Sequence, residues 1–237
     1  MTLKPWCVTW HRYRGCSVPV ELKFCGMTRA ADVAEAAALG AQYVGVIFAG
    51  GPRHQSLESA KRILGDAPPV LKRVGVVSSQ PIDEIADLVR ELGLHTVQLH
   101  ADPDPMRIRD VKVATGVEVW AVLRLSGGTL PATFRETAAR ADGIVLDAHA
   151  PSGLGGSGVT LPWSDLAQAL AAERCQTTLV LAGGLRAENV SEAIVAVEPD
   201  IVDVSSSIES APGIKDHERM RAFRDAVQHA SLKGNQR

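Results

Sequence analysis

The chain has 237 residues, of which 46% are hydrophobic and 22% charged, enough to bury a full core in one large domain or two small ones. A net charge of -2 and a pI near 6.4 give no electrostatic case for nucleic acid or an anionic membrane surface, so an anionic ligand must be caught by local groups. No apolar run approaches the roughly 20 residues of a membrane span, and the N-terminus lacks the apolar core of a signal peptide, so a cytoplasmic protein is expected.

Four cysteines, Cys7, Cys16, Cys25 and Cys175, are scattered without a CxxC pair, which argues against a zinc knuckle or a disulfide scaffold. Cys7, His11 and Cys16 form one loose cluster with no fourth ligand, too little for a metal site. Residues 1–19 read as an irregular arm, and residues 231–237 as a tail.

The first strand is carried by Glu21-Leu22-Lys23-Phe24, where Leu22 and Phe24 continue the period-two spacing of Val18 and Val20. Gly26 turns the chain and Thr28 offers a helix N-cap, so Cys25 is the last side chain before the turn. That thiol is either one more small buried hydrophobe or a catalytic group at the end of a strand, where parallel α/β proteins bring ligands to their βα loops.

Short β-branched runs then alternate with alanine-rich helical stretches at a spacing of about 25 residues, the rhythm of repeated βα units. The first helix is expected over Arg29 to Leu39, the second strand over Tyr43 to Phe48 and its helix over Leu57 to Leu64. A third strand spans Val70 to Val77. Pro81 opens the next helix, Asp83 and Glu84 occupy its first turn, and Gly93 closes it. The fourth strand is His95 to His100, followed by a weaker helix around Met106 to Val113, and the fifth is Val117 to Leu123, with a poorly marked helix between Pro131 and Arg140. Gly143 to Asp147 is the sixth strand, running into the longest loop of the chain, Ala148 to Leu161. Thr178 to Ala182, a helix from Ala187 to Val197, the strand Ile201 to Val204 and a last helix from Asp216 to Gln228 complete the series. Eight strands, each followed by a helix in one pass, predict a (β/α)8 TIM barrel over residues 20–230. No GxGxxG follows the first strand, and neither linker nor composition shift interrupts the series, so a single domain is expected.

Glycine or serine turns follow strands six, seven and eight: Gly155-Gly156-Ser157-Gly158, Gly183-Gly184 and Ser205-Ser206. Glycine lets backbone N–H groups approach an oxyanion and hydroxyls add donors, while a short helix after strand eight would add its dipole. Gly156, Ser157, Gly158, Gly183, Gly184, Ser205 and Ser206 are therefore the expected phosphate cradle. Strands end on polar groups at Cys25, His100, Arg124 and Asp147, with Asp203 one residue further in. A thiol and a carboxylate facing one mouth can divide proton transfer between them, provided that their pKa values are pushed apart. His100 reads as a hydrogen-bonded wall of the substrate site. Asp203 points into the barrel or orients a loop, and needs partners if buried. Arg53, in a Gly-Pro-Arg turn after strand two, is either a fork for a carboxylate or an ordinary solvated arginine. Arg53, His100 and Asp203 are taken as the substrate-binding group.

Taken together these stretches resemble the phosphoribosylanthranilate isomerase family of tryptophan biosynthesis. The likeness runs in order through Lys23-Phe24-Cys25-Gly26-Met27-Thr28, Val97-Gln98-Leu99-His100, Leu146-Asp147 with its glycine loop, Leu181-Ala182-Gly183-Gly184-Leu185 with Glu188-Asn189-Val190, and Val202-Asp203-Val204-Ser205-Ser206 with Gly213-Ile214-Lys215-Asp216. The resemblance implies an Amadori rearrangement of N-(phosphoribosyl)anthranilate without metal or organic cofactor. It assigns Cys25 as general base, Asp147 as general acid and Arg53 as the grip on the anthranilate carboxylate. A monomer or homodimer is expected. Val159 stands where the family commonly has lysine and Ser207 where it has glycine, departures that bear on phosphate affinity. The rival readings are a class I aldolase, a histidine-pathway isomerase or a non-catalytic phosphate-binding barrel. An aldolase needs a desolvated lysine at the mouth, whereas Lys23 sits two residues before the strand end and Lys72 lies early in strand three. The histidine-pathway enzyme uses a carboxylate where Cys25 stands, and a binding module has no use for both Cys25 and Asp147.

Overall fold

The structure, a computed structural model, describes residues 19–100, 103–148, 162–173 and 177–234. Eight parallel strands pair in chain order: β1 (Glu21–Phe24), β2 (Tyr43–Ile47), β3 (Lys72–Val77), β4 (Thr96–Leu99), β5 (Glu118–Leu125), β6 (Gly143–Ala148), β7 (Thr178–Ala182) and β8 (Ile201–Val204). β1 then pairs with β8, Lys23 opposite Asp203 and Phe24 opposite Val204, which closes the sheet into a barrel. The helices are α1 (Ala30–Ala38), α2 (Leu57–Leu64), α3 (Ile82–Leu92), α4 (Pro105–Thr115), α5 (Phe134–Ala138), α6 (Trp163–Glu173), α7 (Val190–Val197) and α8 (His217–Gly234). Eight strands closed in this order with intervening helices form the expected (β/α)8 barrel.

Strand alternation divides the core in two. On β5 Val119, Ala121, Leu123 and Leu125 belong to the large apolar layer shared with the helices, whereas Trp120 and Val122 join Tyr43, Val74, Val145, Val180, Ala182 and Ile201 in a second cluster inside the barrel. The Trp120 and Tyr43 rings meet there at 5.1 Å, tilted by 60°. β1, β4 and β8 depart from this apolar filling, with Lys23, Thr96, Gln98 and Asp203 buried. In the outer layer, truncating a fully buried residue such as Leu99 or Ile108 to alanine costs about 2 to 5 kcal/mol.

Helix ends follow the local chemistry. Asp104 accepts a hydrogen bond from the Met106 N–H at 2.7 Å with Pro105 in the first turn, and α3 starts after Pro81 and stops at Gly93 in the left-handed region, φ 58°. The structure moves several expected boundaries. β3 begins at Lys72, leaving Val70 81% exposed ahead of it, and α5 is a single short helix of 5 residues. The eleven-residue α6, which the sequence did not mark separately, fills the place between β6 and β7. α7 begins at Val190 rather than Ala187, because Asn189 Oδ1 accepts the Arg186 N–H at 2.9 Å and holds the preceding residues in a turn. α8 runs on past Gln228 to Gly234. After β8 a three-residue 3-10 turn, Ser206–Ile208, leads into an antiparallel hairpin of β9 (Glu209–Ala211) and β10 (Ile214–Lys215), where a short α-helix with its dipole was expected. Among the described residues no helix is long and apolar enough to cross a membrane.

Candidate active site

The Cys25 N–H donates to Val204 O at 2.9 Å and the Met27 N–H to Gly45 O at 2.9 Å, so the backbone just beyond β1 is pinned to β8 and β2. Cys25 follows Lys23 on the inward face of β1 and is 6% exposed. Its thiol lies over Gly45 of β2: a Cβ at that glycine would stand 2.8 Å from Sγ and 3.4 Å from Lys23 Cε. Gly45 is therefore the residue whose missing side chain makes room for the thiol. Burial pushes the Cys25 pKa up, and Lys23 is the strongest influence drawing it back.

Beneath the thiol, Lys23 Nζ donates to Asp203 Oδ2 at 2.6 Å, and the lysine is wholly buried. Burial disfavours the ammonium, but Asp203 and Cys25 together outweigh it and hold Lys23 above its ordinary value. Asp203 itself is pushed up by burial and drawn back by Lys23, with His100 also acting on it from the β4 end. Asp203 Oδ1 has no hydrogen-bond partner among the described residues. The His100 N–H donates to Val77 O at 2.8 Å, which fixes that residue at the carboxyl end of β4 beside β3.

Arg53 does not stand alone in its turn. Its Nε and Nη2 donate to Glu209 Oε1 and Oε2 at 2.8 and 2.7 Å, and Lys215 Nζ donates to the same Oε1 at 2.8 Å. Lys215 also donates to the Ser205 carbonyl at 3.0 Å, so one buried carboxylate joins the β2 turn to the segment after β8. A Cβ on Gly26 would lie 2.6 Å from Arg53 Cδ and 3.0 Å from Ser205 Oγ, which places the Cys25-Gly26 turn against both.

Asp147 sits on β6 in register with Arg124 of β5 and Ala182 of β7. A Cβ on Gly183 would come 2.2 Å from Ala148 N and 2.6 Å from Asp147 Oδ1; with φ at 79°, only glycine serves there. Asn189 Nδ2 donates to Gly184 O at 3.0 Å and Ser207 Oγ to Leu185 O at 2.6 Å, tying the β7 and β8 loops together. Gly183, Gly184, Ser205 and Ser206 thus lie on neighbouring loops, while Gly156, Ser157, Gly158 and Val159 fall outside the described residues, as do Cys7, His11 and Cys16.

A family model described as N-(5'phosphoribosyl)anthranilate (PRA) isomerase matches residues 22–226. The chain belongs to the N-(5'-phosphoribosyl)anthranilate isomerase family. Among its relatives, the Cereibacter sphaeroides enzyme named N-(5'-phosphoribosyl)anthranilate isomerase is 35% identical over 209 residues, covering 86% of this chain and 96% of the relative. The Geobacillus thermodenitrificans enzyme of the same name is 36% identical, covering 87% of this chain and 93% of its own. Of solved structures, the Thermus thermophilus phosphoribosyl anthranilate isomerase superposes with a TM-score of 0.75 at 34% identity, covering 90% of this chain and all of that one. A second, solved in complex with reduced 1-(O-carboxyphenylamino)-1-deoxyribulose 5-phosphate, gives 0.72 at 32% identity, covering 89% of this chain and 99% of that one. The activity is that of the family, an aldose–ketose isomerisation in tryptophan biosynthesis.

Within this isomerase barrel, sequence reasoning missed Glu209 and Lys215 and gave Lys23 no role. Lys23 and Glu209 have partners 180 and 156 residues away, which no local pattern marks, whereas Lys215 lies in a stretch that matches the family but was given no role. For Lys23 the available signal was that it alternates with Cys25 on one face of the strand. Chemically, the site can offer a thiol above a buried ammonium, a carboxylate on a separate strand, a guanidinium with one edge occupied, and glycine and serine turns on neighbouring loops.

Proposed function

We propose that the barrel mouth performs the Amadori rearrangement with Asp147 as general acid and Cys25 as general base. Asp147, protonated on binding, gives its proton to the furanose ring oxygen as the C1–oxygen bond breaks, and the anthranilate nitrogen becomes the iminium of an open-chain Schiff base. The iminium acidifies the hydrogen on the neighbouring carbon, Cys25 thiolate removes it, and the electron pair left behind forms an enolamine. Proton return during tautomerisation gives the aminoketone, so atoms and charge balance without any outside reductant or oxidant. Arg53 holds the anthranilate carboxylate, His100 and Asp203 line the sugar, and Gly183, Gly184, Ser205 and Ser206 with Gly156, Ser157 and Gly158 take the phosphate.

The observation that carries this reading is the placement of Cys25 and Asp147 at the carboxyl ends of β1 and β6, strands not paired with each other, in a barrel of this family. A barrel's βα face is where its chemistry occurs. The expected setting is the cytoplasm, with a small phosphorylated substrate and a monomer or homodimer; a Thermotoga maritima relative is described as dimeric. Single turnover of freshly made N-(5-phosphoribosyl)anthranilate, followed by loss of its fluorescence, tests the reading. Turnover in the parent and its loss in Cys25→Ser and Asp147→Asn support it, and full-rate turnover in either variant refutes the assigned role.

A further inference from the structure

We infer that Lys23 is a positioning residue for the isomerisation, its buried ammonium serving as the counter-charge that eases formation of the Cys25 thiolate while Asp203 holds the ammonium in place. The inference rests on the reading of Cys25 as the base and adds what makes that base available. A buried thiol resists ionisation, so a dry barrel interior is a poor place for a thiolate unless a cation stands beside it.

Lys23 meets that need by geometry. It precedes Cys25 by two residues on the same face of β1, is wholly buried, and keeps its Nζ 2.6 Å from Asp203 Oδ2. The point occupied by a Cβ on Gly45 is 2.8 Å from Cys25 Sγ and 3.4 Å from Lys23 Cε, so thiol and lysine terminus flank one small gap.

The other charged groups facing Cys25 are Asp203 from β8, Lys215 from β10 and Arg53 from the turn after β2, with His100 acting on Asp203 from the β4 end. Lys215 and Arg53 share Glu209 and are engaged there. Lys23 is left as the counter-charge acting most strongly on the thiol, and its only ion-pair partner among the described residues, Asp203, opposes thiolate formation. Removing the cation and removing the anion must therefore move the thiol in opposite directions. A lysine serving only to fill the barrel and satisfy Asp203 would not produce that pair of shifts.

The experiment is the pH dependence of Cys25 alkylation by iodoacetamide in the full chain, read by mass mapping so that Cys7, Cys16 and Cys175 are scored separately. Lys23→Met is expected to raise the midpoint for Cys25 by about one pH unit or more, and Asp203→Asn to lower it, with Lys23→Arg closer to the parent than Lys23→Met. The acidic limb of kcat/KM in Lys23→Met moves upward with the thiol. If Lys23→Met does not fold, the direction in Asp203→Asn and Lys23→Arg decides. Unchanged midpoints, or shifts of the same sign in Lys23→Met and Asp203→Asn, overturn the proposal. Failure of the base assignment is seen separately, as retained turnover in Cys25→Ser whatever the alkylation midpoints show.

Discussion

Arg53 and Glu209 meet edge to edge across 156 residues of chain, Nε on Oε1 at 2.8 Å and Nη2 on Oε2 at 2.7 Å. One edge of the guanidinium is thereby committed to the protein, and the end formed by its two Nη atoms is the edge left for a ligand carboxylate. Fixing the fork in advance removes the freedom that a solvated arginine would lose on binding.

Glu209→Gln keeps the shape and removes the charge. It is expected to raise KM for the anthranilate substrate more than it lowers kcat, because Arg53 then seeks other partners. Arg53→Lys, which cannot reproduce the fork, is expected to lose about tenfold to a hundredfold in kcat/KM, the size of one charge-assisted hydrogen bond. Steady-state kinetics at fixed ionic strength measure both, and a full-rate Arg53→Lys enzyme would return Arg53 to the role of a structural cation.

The same carboxylate makes stability depend on pH. Burial pushes Glu209 up, but hydrogen bonds and charge from Arg53 and Lys215 outweigh it and hold the group below its ordinary value of 4.5. A depressed folded pKa stabilises fully above the unfolded value and loses that contribution as pH falls through the folded one. The gap in Tm between the parent and Glu209→Gln should therefore be widest near neutrality and shrink below about pH 4.5. A gap independent of pH across that range contradicts the assignment.

Cys25 and Asp147 should fail differently when changed. In the proposed mechanism Asp147→Asn removes the donor at the ring oxygen, and Cys25→Ser leaves a poor base in the right position; each is expected to lose on the order of a hundredfold or more in kcat with KM little altered. Solvent deuterium is expected in the product at C1, the carbon bearing the anthranilate nitrogen, which gains a proton as the carbon deprotonated by the proposed base becomes the ketone carbonyl. Product formed at the normal rate without deuterium in that position would exclude proton exchange through the thiol.

Gly45→Ala tests the thiol's seat without touching the thiol. The new methyl would stand 2.8 Å from Sγ and 3.4 Å from Cys25 Cα, too close for the side chain to stay where it is. We expect kcat to fall by about tenfold or more, with a stability loss of about 1 to 3 kcal/mol from overpacking. Wild-type kcat in a folded Gly45→Ala enzyme would mean that the position of Sγ is uncritical.

At the opposite side of the mouth, Gly183→Ala places a Cβ 2.2 Å from the Ala148 amide nitrogen and 2.6 Å from Asp147 Oδ1. Both the proposed phosphate loop and the proposed acid would be disturbed, so kcat and KM should change together, unlike in the Glu209→Gln variant. Inorganic phosphate at tens of millimolar, roughly the range for a fragment of this size, should compete with substrate in the parent. Competition that is undiminished in Gly183→Ala would place the phosphate elsewhere.

The barrel was legible because period-two strands and glycine-closed helices repeat along the chain, and α2 falls on Leu57 to Leu64 as the amphipathic spacing predicts. The positions of Cys25 and Asp147 followed from counting to strand ends, and that of Arg53 from the Gly-Pro-Arg turn beyond β2. Lys23 was harder to read: one charge on an alternating strand looks like a solvent-facing residue until closure brings Asp203 opposite it. Similarly, Glu209 and Lys215 belong to two very short strands whose pairing depends on a turn through Pro212 and Gly213, and neither strand has enough residues to display a period. The α5 helix, at 5 residues, is shorter than two turns and gives no repeat to detect.

Ser207 has a consequence for how the proposed phosphate loops would receive an anion. Ser207 spends its hydroxyl on the Leu185 carbonyl, Asn189 clasps Gly184 and Arg186, and Lys215 grips the Ser205 carbonyl. These stitches set the two loops during folding, so little chain entropy is left to lose when a dianion arrives. Ser207→Gly is expected to loosen these loops, and its signature would be thermodynamic: a more favourable binding enthalpy offset by a larger entropy loss for inorganic phosphate, with faster amide exchange confined to Leu185 through Ser207.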